Sequence, residues 1–237
     1  MIVTVTSRPP LAPDSVCAVR WLSAYDNYAA YPFARFWQDG EGRYASLLDG
    51  TMVFVGETVT DEWLTFMAMQ PMLSAVIADG RVGEAIARAL DRPCSSVDAM
   101  KRTSVTGAGY KPIPPKEAFA LLKEVFAGDL PPFDVWYADV SHRMRHAGCV
   151  IGGVMRDGRC VCSAMTTAET VDGAVIGAVA THPDHRRQGL AGQTVADLAA
   201  ALQQADKQVY ICPKHEAARR LYETIGFTVC GSVMTIR

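Results

Sequence analysis

Thr181-His182-Pro183-Asp184-His185-Arg186-Arg187-Gln188-Gly189-Leu190-Ala191-Gly192 follows an apolar, strand-like run from Ala174 to Ala180 and opens a helix-like run from Gln193 to Gln204. A glycine-bearing turn between a strand and a helix leaves several backbone N–H groups unpaired and pointing one way, and the helix dipole adds partial positive charge there. Such a turn can hold a phosphate or pyrophosphate. Gly189, Ala191 and Gly192 let a ligand approach the backbone closely, and Arg186 and Arg187 add positive charge. The spacing argues against two common cradles. It is neither the Gly-x-x-x-x-Gly-Lys-Ser/Thr loop that holds nucleoside triphosphates nor the Gly-x-Gly-x-x-Gly turn that holds dinucleotides.

A second stretch lies downstream. After a short strand, Gln208 to Cys212, comes Glu216-Ala217-Ala218-Arg219-Arg220-Leu221-Tyr222-Glu223-Thr224-Ile225-Gly226-Phe227. Ala218, Leu221, Tyr222 and Ile225 recur at helical spacing and make one apolar face. Gly226 suits a left-handed helix stop, and Phe227 begins the last strand. Arg186 to Ala191 resembles the Arg/Gln-x-x-Gly-x-Gly/Ala signature of the GNAT N-acetyltransferases, and Ala218 to Phe227 resembles their closing Ala-x-x-Leu-Tyr-x-x-x-Gly-Phe pattern. The two occur in the family's order and separation, and the likeness covers roughly Pro114 to Arg237.

This resemblance implies an α/β fold with a mixed, mostly antiparallel sheet flanked by helices. It also implies acetyl-CoA as co-substrate, with no metal. Arg186, Arg187, Gln188, Gly189, Leu190, Ala191 and Gly192 would hold the pyrophosphate. Val179, Ala180 and Thr181 would lie beside the pantetheine arm, with backbone N–H groups able to stabilise an oxyanion. Tyr222 would protonate the departing thiolate. The chain departs from the family pattern in two places. His215 stands where many members have an asparagine contacting the cofactor, and Tyr210 stands where some have a glutamate base. A tyrosine is a poor base near neutral pH. His182, Glu169, Asp139, His142 and His146 are the other titratable candidates, and none is singled out. The expected reaction is direct attack of a small-molecule or peptide primary amine on the thioester. The alternative is a CoA-binding regulatory module without activity.

The bulk properties limit other classes. A chain of 237 residues can form one large or two small cores. The formal charge of -2 gives no general attraction to nucleic acid or to a membrane surface. No apolar run has membrane-spanning length, and no basic segment leads into a long apolar core at the N-terminus. Seven cysteines without paired Cys-x-x-Cys spacing suit reduced thiols in the cytoplasm rather than a disulfide framework or zinc site.

The pattern predicts a helix from Lys116 to Phe126, a strand from Phe133 to Asp139 and a short helical or irregular turn from Val140 to Ala147. Strands Cys149 to Arg156 and Arg159 to Glu169 should join at Asp157-Gly158. The first half reads as strands Ala34 to Gln38, Tyr44 to Leu48 and Thr51 to Val55, helix Asp61 to Met69, strand Met72 to Ala78, helix Val82 to Leu90 and strand Val97 to Lys101. This order repeats the C-terminal plan, with Val55-Gly56-Glu57-Thr58 where the Arg/Gly-rich turn would be. Two architectures fit: a tandem with a degenerate GNAT-like half over 1–105 and an intact half over 113–237, or an unrelated α/β domain before the second. Trp63 to Met72 is apolar enough to need cover from the rest of the chain or from a second copy in a homodimer.

Overall fold

The computed structural model describes every residue from Met1 to Arg237 except Asp129 and Ala147. The chain forms two compact units, Met1–Met100 with Val229–Arg237, and Lys101–Thr228. The expected split placed the last strand with the C-terminal half. Instead, residues 229–237 count with the first unit.

The first unit contains β1 (Val3–Thr4), α1 (Val16–Tyr28), β2 (Ala34–Gln38), β3 (Tyr44–Leu48), β4 (Thr51–Val55), α2 (Asp61–Ala68), β5 (Ala75–Asp79), α3 (Gly80–Ala89) and most of β6 (Cys94–Arg102). β1 to β4 pair antiparallel in chain order, and β4 then pairs parallel with β5 across the α2 crossover. Trp63 and Met67 of α2 pack with Phe54, Val76, Ile86 and Ile236 in the core. Each such side chain contributes about 1.5–3 kcal/mol on burial. Met69 and Met72, at the end of the apolar stretch, are exposed on the chain. Helix α1 is absent from the sequence reading. Its N-cap is Ser15, whose hydroxyl accepts from the Ala18 N–H at 3.1 Å. Most of its residues are buried, so it shows no polar stripe.

The second unit contains α4 (Pro115–Val125), α5 (Phe133–Arg145), β7 (Ile151–Arg156), β8 (Arg159–Glu169), β9 (Gly173–Thr181), α6 (Leu190–Gln204), β10 (Gln208–Ile211) and α7 (Glu216–Thr224). The last strand, β11 (Phe227–Ile236), starts here and continues in the first unit, between β5 and β6. β7, β8 and β9 form an antiparallel meander, turning at Asp157-Gly158, where both residues have positive φ. β10 pairs parallel with β9 after the α6 crossover. Phe119, Leu122, Trp136, Val140, Ile151 and Met165 share the core under α4 and α5.

The strand expected at Phe133 to Asp139 is a helix, α5. Its buried residues, Trp136 and Val140, are four apart, the spacing of one helix face. Pro132 at the N-cap fits a helix start. Of the turn expected after it, Ala147 lies outside the described residues. The mixed, mostly antiparallel sheet flanked by helices is as the motifs imply. Among the described residues no helix is long and apolar enough to cross a membrane.

Candidate active site

β9 and β10 run side by side from Gly173↔Gln208 to Ile176↔Ile211 and then part. Beyond that point β9 continues through Gly177–Thr181 without β10 beside it. The register against β8 also breaks here, passing from Met165↔Gly177 to Ser163↔Ala180. Ala178 sits in the left-handed region at φ 47. An alanine held there costs roughly 1–2 kcal/mol, so the surrounding sheet must impose it. A bulge of this kind re-aims the backbone that follows, here at Val179.

After β9 the chain makes one 3-10 turn, Pro183–His185, and reaches α6. Arg186 Nε donates to the Thr181 carbonyl at 3.2 Å, tying the turn to the strand end. Arg187 and Gly189 both have positive φ, 61 and 75. Gly189 is the N-cap of α6, and no side chain caps the helix. The first N–H groups of α6 therefore have no intrahelical acceptor and face outward with the helix dipole. No heavy atom lies within 4 Å of where a Cβ on Gly189 would be. The glycine is thus favoured by its φ, and the space beside it is open. Gly192 serves packing instead, since a Cβ there would meet Leu221 Cδ1 of α7 at 3.1 Å.

Helix α7 closes the opposite side. His215 is its N-cap, with Nδ1 accepting from the Ala218 N–H at 3.1 Å. That bond assigns the proton of the neutral ring to Nε2. Tyr222 is 6% exposed, and burial pushes its phenol up to about 12. It stays protonated throughout the neutral range.

Between these elements lies a groove of about 480 Å³. Val179, Thr181, Arg186, Arg187, Gly189, Leu190, Ala191, Gly192, His215 and Tyr222 all line it. Two of the expected residues, which were assigned through backbone N–H groups, are not among its lining residues. Ala180 belongs to the core under α4, and Gln188 turns its Oε1 toward Arg156 Nη1 at 3.0 Å. Sequence reasoning left out His185, Ala217, Ala218 and Leu221 as lining residues. The helical period had identified Ala218 and Leu221, but only as a buried face.

None of the titratable candidates for a base lines this groove. Glu169 ends β8, opposite Ala174 near the start of β9, and its oxygens accept from Lys207 Nζ and Thr166 Oγ1, both at 2.7 Å. Asp139 pairs with Arg143 at 2.9 Å. The rings of His142 in α5 and of His146 at its C-cap lie tilted at 43° with centroids 4.3 Å apart. His182 accepts the Asp184 N–H at Nδ1 and points Nε2 at Glu124 Oε2, 3.2 Å away. Tyr210 donates to Gln208 Oε1 at 2.9 Å. Among the described residues no group of His, Cys, Asp and Glu could hold a metal ion.

A family model described as FR47-like protein matches residues 153–234, the stretch that carries the groove. Among solved structures, an acetyltransferase of the GNAT family from Colwellia psychrerythraea superposes with a TM-score of 0.60, covering 100% of this chain and 98% of its own at 11% identity. The chain carries the GNAT fold. A GCN5-related N-acetyltransferase from Sphaerobacter thermophilus has a TM-score of 0.62 at 15% identity, over 92% of this chain and 84% of its own. A tandem GNAT protein from the clavulanic acid biosynthesis pathway has 0.57 at 16% identity, over 97% and 90%. At these identities the likeness concerns the fold. No curated protein matches the sequence. On the GNAT fold, the groove occupies the divergence of the parallel strand pair, the usual ligand position of sheets with crossover helices.

Proposed function

We propose that this chain is an N-acyltransferase that moves the acetyl group of acetyl-CoA to a primary amine of a small molecule or peptide. The observation that carries this reading is the open, uncapped N-terminus of α6 at the mouth of a groove that also holds Tyr222. Arg187 to Gly192 would bind the pyrophosphate through backbone N–H groups, with Arg186 and Arg187 adding charge. Bound acetyl-CoA supplies an activated thioester. The backbone N–H groups of the re-aimed segment Val179–Thr181 would stabilise the negative charge that develops on the carbonyl oxygen. Tyr222, neutral at physiological pH, would give its proton to the departing sulfur.

Among the described residues no carboxylate lines the groove, but His185 and His215 do, so the ammonium proton of the acceptor would leave through one of these imidazoles or through water. The same observation favours a second reading, a CoA-binding module without turnover. Calorimetry with coenzyme A, followed by a thiol-release assay over a panel of primary amines, separates the two. Acyl transfer is supported by tight binding and thiol release with at least one amine. Tight binding with no release on any amine supports the module. Absence of coenzyme A binding overturns both.

A further inference from the structure

An extra residue in β8 decides where its cysteines point. Val154 pairs with Cys162 and Met155 with Cys160, so Val161 stands opposite no residue of β7 and forms a bulge. Without the bulge Cys160 and Cys162 would share a face, because side chains alternate along a strand. With it, Cys160 packs with Phe119 and Leu122 under α4, whereas Cys162 meets Thr194 of α6. The Val161 carbonyl accepts from the His182 N–H at 2.9 Å, which fixes the bulge against the chain just beyond β9.

Cys162 is fully buried and stands opposite Thr181 in the pairing of β8 with β9. Its Sγ lies 3.3 Å from Thr181 Oγ1 and accepts from Thr194 Oγ1 at 3.4 Å. Among the described residues neither threonine hydroxyl makes another hydrogen bond. Thr194 is 5% exposed, so an apolar side chain in place of Cys162 would deprive a buried hydroxyl of this partner. A thiol kept only to fill space would need neither hydroxyl. The two threonines also belong to different walls. Thr181 lines the groove at the end of β9, and Thr194 follows closely behind Gly189–Gly192 in α6. The sulfur thus bridges the strand that would carry the pantetheine arm and the helix that would carry the pyrophosphate.

We propose that Cys162 is a positioning residue, whose thiol holds Thr181 and the Val179–Thr181 backbone in register with the open end of α6. The proposal rests on the reading of the groove as a coenzyme A site. A ligand that reaches both walls needs their separation fixed before it binds, and small misplacements of a reacting group are costly.

Coenzyme A reaches both walls, whereas ADP carries the pyrophosphate and no arm. Full-length protein would be titrated calorimetrically with coenzyme A, and with ADP directly or by competition. Cys162→Ala and Thr194→Val, each checked for a native circular dichroism spectrum and cooperative melting, should raise the coenzyme A Kd about tenfold and the ADP Kd by less than about twofold. Cys162→Ser supplies a hydroxyl that donates and accepts, and should return the coenzyme A Kd to within about threefold of wild type. The double variant Cys162→Ala with Thr194→Val should bind as either single variant does, because both break the same chain of bonds. A merely structural role for Cys162 would lower the melting temperature and leave the ratio of the two affinities alone. Unchanged coenzyme A binding in the folded variants, or an equal loss for ADP, overturns the proposal while the reading of the groove stands. If Cys162→Ala does not fold, Thr194→Val decides by the same criteria. A wild type that binds no coenzyme A overturns both.

Discussion

Gly189→Asp tests the phosphate cradle with little disturbance of the fold. Gly189 has φ 75, and aspartate tolerates that region better than most residues, at a cost of roughly 1 kcal/mol. Aspartate is also a favoured N-cap, a few tenths of a kcal/mol better than glycine, and α6 has no cap to lose. The new Cβ meets no atom within 4 Å. The melting temperature should therefore move by only a few degrees. Ligand binding should change far more. A carboxylate at the N-cap takes up N–H groups that the pyrophosphate would use. It also places negative charge within about 4 Å of a phosphate, which costs about 4 kcal/mol near a protein surface and less in salt. A net loss of about 2–4 kcal/mol corresponds to a coenzyme A Kd thirty- to a thousandfold higher by calorimetry. Gly189→Asn supplies the same cap without the charge and should lose about tenfold or less. A folded Gly189→Asp protein whose Kd stays within about threefold of wild type would refute the assignment.

Tyr222→Phe should keep coenzyme A affinity and lower kcat roughly ten- to a thousandfold, since it removes only the proton donor. With its phenol near 12, Tyr222 should add no alkaline limb to the wild-type kcat profile below about pH 10. In the first unit, burial would raise the Asp39 carboxyl, but hydrogen bonds from Trp63, Glu41 and Arg43 outweigh it and hold it down at about 2. Asp39→Ala should cost about 3 kcal/mol at neutral pH by leaving the Trp63 and Arg43 donors unpaired, as urea unfolding would measure. The difference should be complete above the unfolded pKa near 4 and close as pH falls toward 2. Truncation after Thr228 removes the buried Val233, Met234 and Ile236 and uncovers β5, so circular dichroism and size exclusion should report an unfolded or self-associating first unit.

The parts of this fold that rest on local chemistry were legible in the sequence. Asp157-Gly158 announced a hairpin, and β8 begins at Arg159 as read. Gly189 announced the break between strand and helix, and Gly226 the stop before β11. The misread segments fail for identifiable reasons. Phe133, Val135 and Tyr137 alternate along the chain as a strand would, but these three are the exposed residues, and the burial lies on Trp136 and Val140. The signal of α1 was Ser15 alone, since a helix buried over most of its surface has no apolar period to find. The placement of β11 beside β5 could not be read locally, because any apolar strand fills such a slot equally well. In the groove, the lining residues were legible because a glycine at positive φ and an open helix end leave marks in sequence. The Ala180 side chain turns into the core, and the part expected of this residue was its backbone N–H.

The two strand–turn–helix crossovers separate what the fold supplies from what the sequence decides. Both units pair two strands in parallel, cross over with a helix and let the strands part at their carboxyl ends. Each divergence creates a groove whatever residues line it. The two crossover helices begin differently. In α6 the N-cap is a glycine without a side chain, preceded by Arg186 and Arg187, so the helix presents bare N–H groups and positive charge. In α2 the N-cap is Thr60, whose hydroxyl occupies the Trp63 N–H, and Asp61 and Glu62 cancel the dipole. Both helices gain stability from ordinary packing, so neither end is constrained by folding alone. The uncapped end of α6 gives up a cap worth about 1 kcal/mol. An anion at Gly189 would supply the acceptors that the helix lacks, as the proposed function requires.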